Sequence, residues 1–114
     1  MAFNKVTEIK TYSCTLHIAG SYDVAVQVAK EFAYNHGICF QITKTQYVYT
    51  GGTEEGMTVR LIAYPRFPKS PSVILGEMEQ FAEILAEKLC QKSYTIEDST
   101  ITKYYESTNP LHKK

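Results

Sequence analysis

Two arginines, Arg60 and Arg66, stand within seven residues of each other in a chain whose other ten basic residues are all lysine. A guanidinium presents a planar fork that matches a carboxylate or phosphate, so this segment is the first place to look for an anion anchor. Around the arginines lie Tyr47, Tyr49 and Tyr64, which can stack on a flat ligand or pack across strands in the ordinary way. His17 falls beside Ser13 and Thr15 on one face of an alternating segment and is the one histidine placed to move a proton. No Asp or Glu is placed beside His17 by local spacing, so no triad is expected. The candidate ligand- or partner-binding residues are therefore His17, Tyr47, Tyr49, Arg60, Tyr64 and Arg66, and no catalytic constellation is assigned. No two histidines have ligand spacing, and Cys14, Cys39 and Cys90 are widely spaced without a CxxC pair. Neither a metal, a cofactor nor a disulfide framework is expected, and each cysteine reads as a small buried thiol on an apolar-patterned segment.

The glycine-rich run "TGGTEEG", Thr50 to Gly56, lacks phosphate-loop spacing and precedes a strand pattern instead of a helix. It reads as a flexible hairpin tip, with Glu54 and Glu55 keeping it soluble. The stretch "YVYTGGTEEGMTVRLIAYPRFP", in particular "VYTGG" and "YPRFP", resembles a segment of small uncharacterised proteins carried by bacteriophages and other mobile elements. That resemblance implies an accessory protein that binds something and transfers no catalytic residue.

These residues must be held by a small number of elements. At 114 residues, with 44% apolar and 21% charged residues, the chain has the length and balance of one globular domain, expected over residues 1–106 with a tail at 107–114. Twelve basic and twelve acidic residues cancel, which argues against a nucleic-acid surface. Absence of a long apolar run and of a leader pattern leads to the expectation of a cytoplasmic protein without membrane contact.

"TYSCTLHIA" alternates as a half-buried strand, and "GSYDVAVQVAKEFAYNHG" carries an N-cap at Ser21, Val24, Val28 and Phe32 on one stripe, and a terminating Gly37. "ICFQITKTQYVYT" changes phase between Ile42 and Tyr47, so a bulge near 43–46 is expected. "MTVRLIAY" completes a hairpin with it. Pro65, Pro68 and Pro71 make the next segment a connector, and Ser70–Pro71 opens a second helix with Ile74, Met78, Phe81, Leu85 and Leu89 buried. Residues 94–106 form one bent strand or two short ones. The order predicts an α+β ferredoxin-like split βαβ sandwich, four antiparallel strands with both helices on one face.

Two functions fit this frame. The leading expectation is a non-catalytic, self-associating binding or interaction domain, its partners a second copy, a small anionic ligand or another protein. The alternative is a small enzyme on a compact anionic metabolite, with Arg60 or Arg66 as anchor and His17 or a tyrosine moving a proton.

Overall fold

In Ser13–Ala19 (β1) every second side chain, Cys14, Leu16 and Ile18, is buried, and the intervening ones are half exposed, as the alternation requires. The computed structural model describes residues 2–109. After β1 come the helix Tyr22–His36 (α1), the strands Gln41–Tyr49 (β2) and Gly52–Ile62 (β3), the helix Pro71–Leu89 (α2), and the strands Ser93–Asp98 (β4) and Thr102–Glu106 (β5). All strand pairs are antiparallel, in one sheet of order β2-β3-β1-β4-β5. The architecture is α+β with two helices, and the expected four strands are corrected to five. The segment 94–106 makes two strands because Asp98 Oδ1 accepts from the backbone N–H of both Thr100 and Ile101 at 2.8 Å and closes a turn between them.

Both helices start and stop on their own residues. Ser21 and Ser70 accept from the N–H groups of Val24 and Val73, and Gly37 takes the left-handed conformation at the end of α1. The buried stripe of α1 is Ala25, Val28, Ala29 and Phe32; Val24 lies outside it and is exposed. On α2, Ile74, Met78, Phe81, Ala82, Leu85 and Ala86 are buried, and the ring of Phe81 meets Phe40 at 4.4 Å and Phe32 at 5.5 Å between centroids. The core thus lies between the helices and one face of the sheet.

Three local expectations are corrected. The β2–β3 register runs without interruption from Gln41↔Arg60 to Tyr49↔Gly52, so no bulge exists, and Tyr47 and Tyr49 stay on the face that carries Gln41 and Thr43. The glycine run is not a flexible tip: Tyr49 pairs with Gly52, the connection is Thr50–Gly51 alone, and Glu54 and Glu55 are strand residues. Of the cysteines only Cys14 is buried; Cys39 and Cys90 are exposed, and Cys90 itself takes the left-handed conformation that ends α2. His112 and most of the expected tail lie outside the described residues. No helix is long and apolar enough to cross a membrane among the described residues.

Candidate functional site

The face of the sheet turned away from the helices is set by register. Arg60 of β3 and Glu97 of β4 flank Thr15 of β1, one on each side, and Gln41 of β2 lies beyond Arg60. The neighbouring row is Thr43, Thr58, His17, Thr95 and Tyr104. His17 is therefore diagonal to both Arg60 and Glu97, a relation that places side chains about 7 Å apart at Cβ, within reach of long ones. His17 uses that reach: its Nε2 lies 2.7 Å from Glu97 Oε1. Arg60 is exposed and makes no ion pair among the described residues, which leaves its fork open to an incoming anion.

Further along the same face a hollow of about 220 Å³ is bounded by His17, Thr95, Ser93, Tyr104, Tyr47 and Glu54. The Tyr47 ring at its edge depends on Gly56. A Cβ there would stand 2.5 Å from the Ile18 carbonyl oxygen and 2.5 Å from the Tyr47 ring, so only a bare backbone lets the ring lie across the strand. The Tyr47 hydroxyl donates to the Met57 carbonyl at 2.8 Å, and burial raises its pKa, keeping it a donor. At the other end Tyr64 donates to Cys39 Sγ at 3.5 Å. That hydrogen bond raises its pKa, while Gln41 and the Arg60 charge act in the lowering direction, so Tyr64 adjoins the Arg60 end of the face.

Of the residues singled out by sequence, the sheet brings His17, Tyr47 and Arg60 onto one face, with Tyr64 beside Arg60. Tyr49 packs its ring over Gly52 at the hairpin end. Arg66 lies in the connector with its guanidinium 5.4 Å from the Phe67 ring centre. Glu97 and Tyr104 were missed. Glu97 reaches His17 from 80 residues away in sequence, and Tyr104 joins the face through the β4–β5 pairing, so no local spacing carries either. Among the described residues no group of three His, Cys, Asp or Glu side chains can hold a metal ion.

A larger groove, about 620 Å³, lies on the opposite side, between α2 and β5. It is walled by carboxylates and tyrosines, and among the described residues its one basic residue is Lys92. Size alone would favour it, but Arg60, whose planar fork suits a carboxylate, lies on the other face.

No protein-family model matches the sequence, and no curated protein matches it. Two solved structures share the fold. One is described as a phage SAM lyase in the apo state, with a TM-score of 0.64 at 16% identity, covering 85% of this chain and 90% of its own. The other is described as a phage SAM lyase in complex with S-methyl-5'-thioadenosine, with a TM-score of 0.61 at 13% identity, covering 91% and 97%. These neighbours overturn the expectation of a non-catalytic binding domain, since both are an enzyme, and they favour the enzyme alternative.

Proposed function

We propose that this chain is an enzyme that splits S-adenosylmethionine, or a closely related sulfonium amino acid, on the open face of its sheet. The observation that carries the reading is the placement of Arg60 and the His17–Glu97 pair on the two sides of Thr15, on a fold shared with the two lyase structures. Such a substrate is a zwitterion at its amino-acid end, not a plain anion. Arg60 suits its carboxylate, Glu97, oriented by His17, suits its ammonium, and Tyr47 and Tyr104 beside the hollow suit its purine.

The chemistry follows from the substrate. Formation of S-methyl-5'-thioadenosine without water requires the bond between sulfur and Cγ to break, with its electron pair passing to sulfur. The electrophilic Cγ is taken by an oxygen of the substrate's own carboxylate, so the second product is an amino-lactone and no proton has to move. Arg60 bound to one carboxylate oxygen leaves the other free to attack. Holding both ends of the substrate then supplies orientation, the main contribution open to a site without a covalent nucleophile. We read the first four strands and both helices as a ferredoxin-like split βαβ unit extended by β5, which the order β2-β3-β1-β4 supports.

The test is incubation with S-adenosylmethionine followed by chromatography and mass detection. Time-dependent S-methyl-5'-thioadenosine with equimolar amino-lactone is expected. Hydrogen bonds to a charged group contribute about 1.5–3 kcal/mol, so Arg60→Ala should lower kcat/KM by roughly ten- to a hundredfold. No product from the wild type overturns the activity; full turnover by Arg60→Ala overturns the placement.

A further inference from the structure

Among the described residues Glu54 is the one carboxylate lining the hollow on the open face, and the lyase chemistry leaves it unused. It is a half-buried residue of β3 directly opposite Tyr47 of β2, a relation that sets the two side chains about 5 Å apart at Cβ. Its neighbour Glu55 alternates to the other face, where Lys44 lies 3.9 Å from it. No ion pair or side-chain hydrogen bond engages Glu54 among the described residues. A carboxylate drawn half out of water and given no donor carries a desolvation cost that the N–H groups of a ligand can relieve.

Three other polar groups around the hollow are already committed. The Tyr47 hydroxyl donates to the Met57 carbonyl at 2.8 Å, the Tyr104 hydroxyl donates to Glu106 Oε2 at 3.0 Å, and His17 Nε2 lies 2.7 Å from Glu97. What the tyrosines still offer is ring surface. The Tyr47 ring lies across Gly56, and Glu54 is the next residue of β3 on that face, so a flat base laid against the ring brings its edge to the Glu54 carboxylate. At about 220 Å³ the hollow falls below the roughly 300–1,000 Å³ of a site that encloses a whole ligand, and it takes one end of the substrate. Spacing selects the end. Glu54 and Arg60 share a face of β3 six residues apart, about 20 Å at about 3.4 Å per residue. That separation matches the two ends of an extended substrate, so the group that meets Glu54 while the carboxylate meets Arg60 is the purine edge and not the ribose in the middle.

Resting on the lyase reading, we propose that Glu54 accepts a hydrogen bond from the 6-amino group of the substrate's purine and so confines the enzyme to 6-aminopurine sulfonium substrates. An ionised carboxylate is an acceptor only. Adenine offers it an N–H at position 6, whereas a 6-oxopurine presents a carbonyl oxygen there and sets two acceptors face to face. Discrimination of this kind comes from the groups left unpaired in the wrong complex. Glu54 is half exposed, so water softens the penalty, and the preference is about tenfold, the lower end of what one hydrogen bond to a charged group supplies.

The experiment is calorimetric titration of the full chain, of Glu54→Gln and of Glu55→Gln with S-methyl-5'-thioadenosine and with its 6-oxo counterpart, S-methyl-5'-thioinosine. Wild type and Glu55→Gln should bind the amino compound about tenfold more tightly than the oxo compound. Glu54→Gln, whose amide can turn either its oxygen or its NH2 group to the ligand, should bind the two nearly equally. The preference is a ratio within one protein, so a general loss of stability does not imitate it. Equal affinities in the wild type, a preference kept by Glu54→Gln or a preference lost by Glu55→Gln overturns the proposal, and product formed from S-adenosylmethionine by the same wild type then leaves the lyase reading standing. A wild type that binds neither nucleoside overturns the proposal too, and the lyase reading with it if no product forms.

Discussion

Replacing Gly56 by alanine should disturb the fold and the candidate site together. The backbone of Gly56 does not need a left-handed conformation; what it needs is the absence of a side chain, because the added methyl would lie 2.5 Å from both the Ile18 carbonyl and the Tyr47 ring. The carbonyl belongs to the central strand and cannot retreat cheaply, so the ring must move. Forced overpacking of this kind costs about 1–3 kcal/mol. Loss of the Tyr47 bond to Met57 adds about 1 kcal/mol, and the stiffer unfolded chain returns about 0.4–1 kcal/mol. The net is a destabilisation of about 1–3 kcal/mol. With a urea dependence of about 1–2 kcal/mol per molar, the unfolding midpoint followed by far-ultraviolet circular dichroism should drop by roughly 1–2 M. Removing the ring should relieve part of the strain, so Tyr47→Ala in the Gly56→Ala background should show a favourable coupling of about 1 kcal/mol. A Gly56→Ala midpoint indistinguishable from wild type, or additive single and double changes, would refute the reasoning.

Phe81→Ala removes a fully buried ring from contact with Phe32 and Phe40 and should cost about 3–5 kcal/mol in the same urea experiment. Asp98 is held below the usual carboxylate range by the N–H groups of Ile101 and Thr100, so its ionised form favours the folded chain. That contribution is present above the ordinary carboxylate pKa of about 4 and is lost as pH falls through the lower folded value. Asp98→Ala should thus be less stable than wild type at pH 7, with the difference shrinking on acidification below about pH 4. Burial pushes the Cys14 thiol up to about 11, whereas Cys39 and Cys90 are exposed. A thiol reagent at neutral pH should label two cysteines quickly and the third only on unfolding.

What the sequence makes legible is local. Period-two alternation around Leu16, the serine caps at 21 and 70, and the left-handed Gly37 each depend on residues a few positions apart, and each element forms where those residues place it. The phase change before Tyr47 was misread for a physical reason. Apolar periodicity assumes that every large ring faces the core, whereas the Tyr47 ring lies on the open face, across Gly56. The same assumption hid the length of β3, whose glycines mark close approach of a neighbour and not a turn. The site was half legible. His17, Arg60 and Tyr47 stood out by type, but Glu97 becomes a partner of His17 only through the pairing of β1 with β4, and Tyr104 joins the face only through β5. Long-range register is what places the two sides of that face together, and it has no signature in any short window.

The most direct test of the central claim is a titration of the isotopically labelled protein with S-methyl-5'-thioadenosine, followed by amide chemical shifts. If the open face is the site, the shifts concentrate on Tyr47, Ser93, Thr95 and Tyr104 around the hollow, and Arg60→Ala leaves those purine-end shifts in place while weakening the binding of S-adenosylmethionine. Shifts confined to Glu79, Glu83 and Tyr105 in the α2–β5 groove, or none at all, would contradict it.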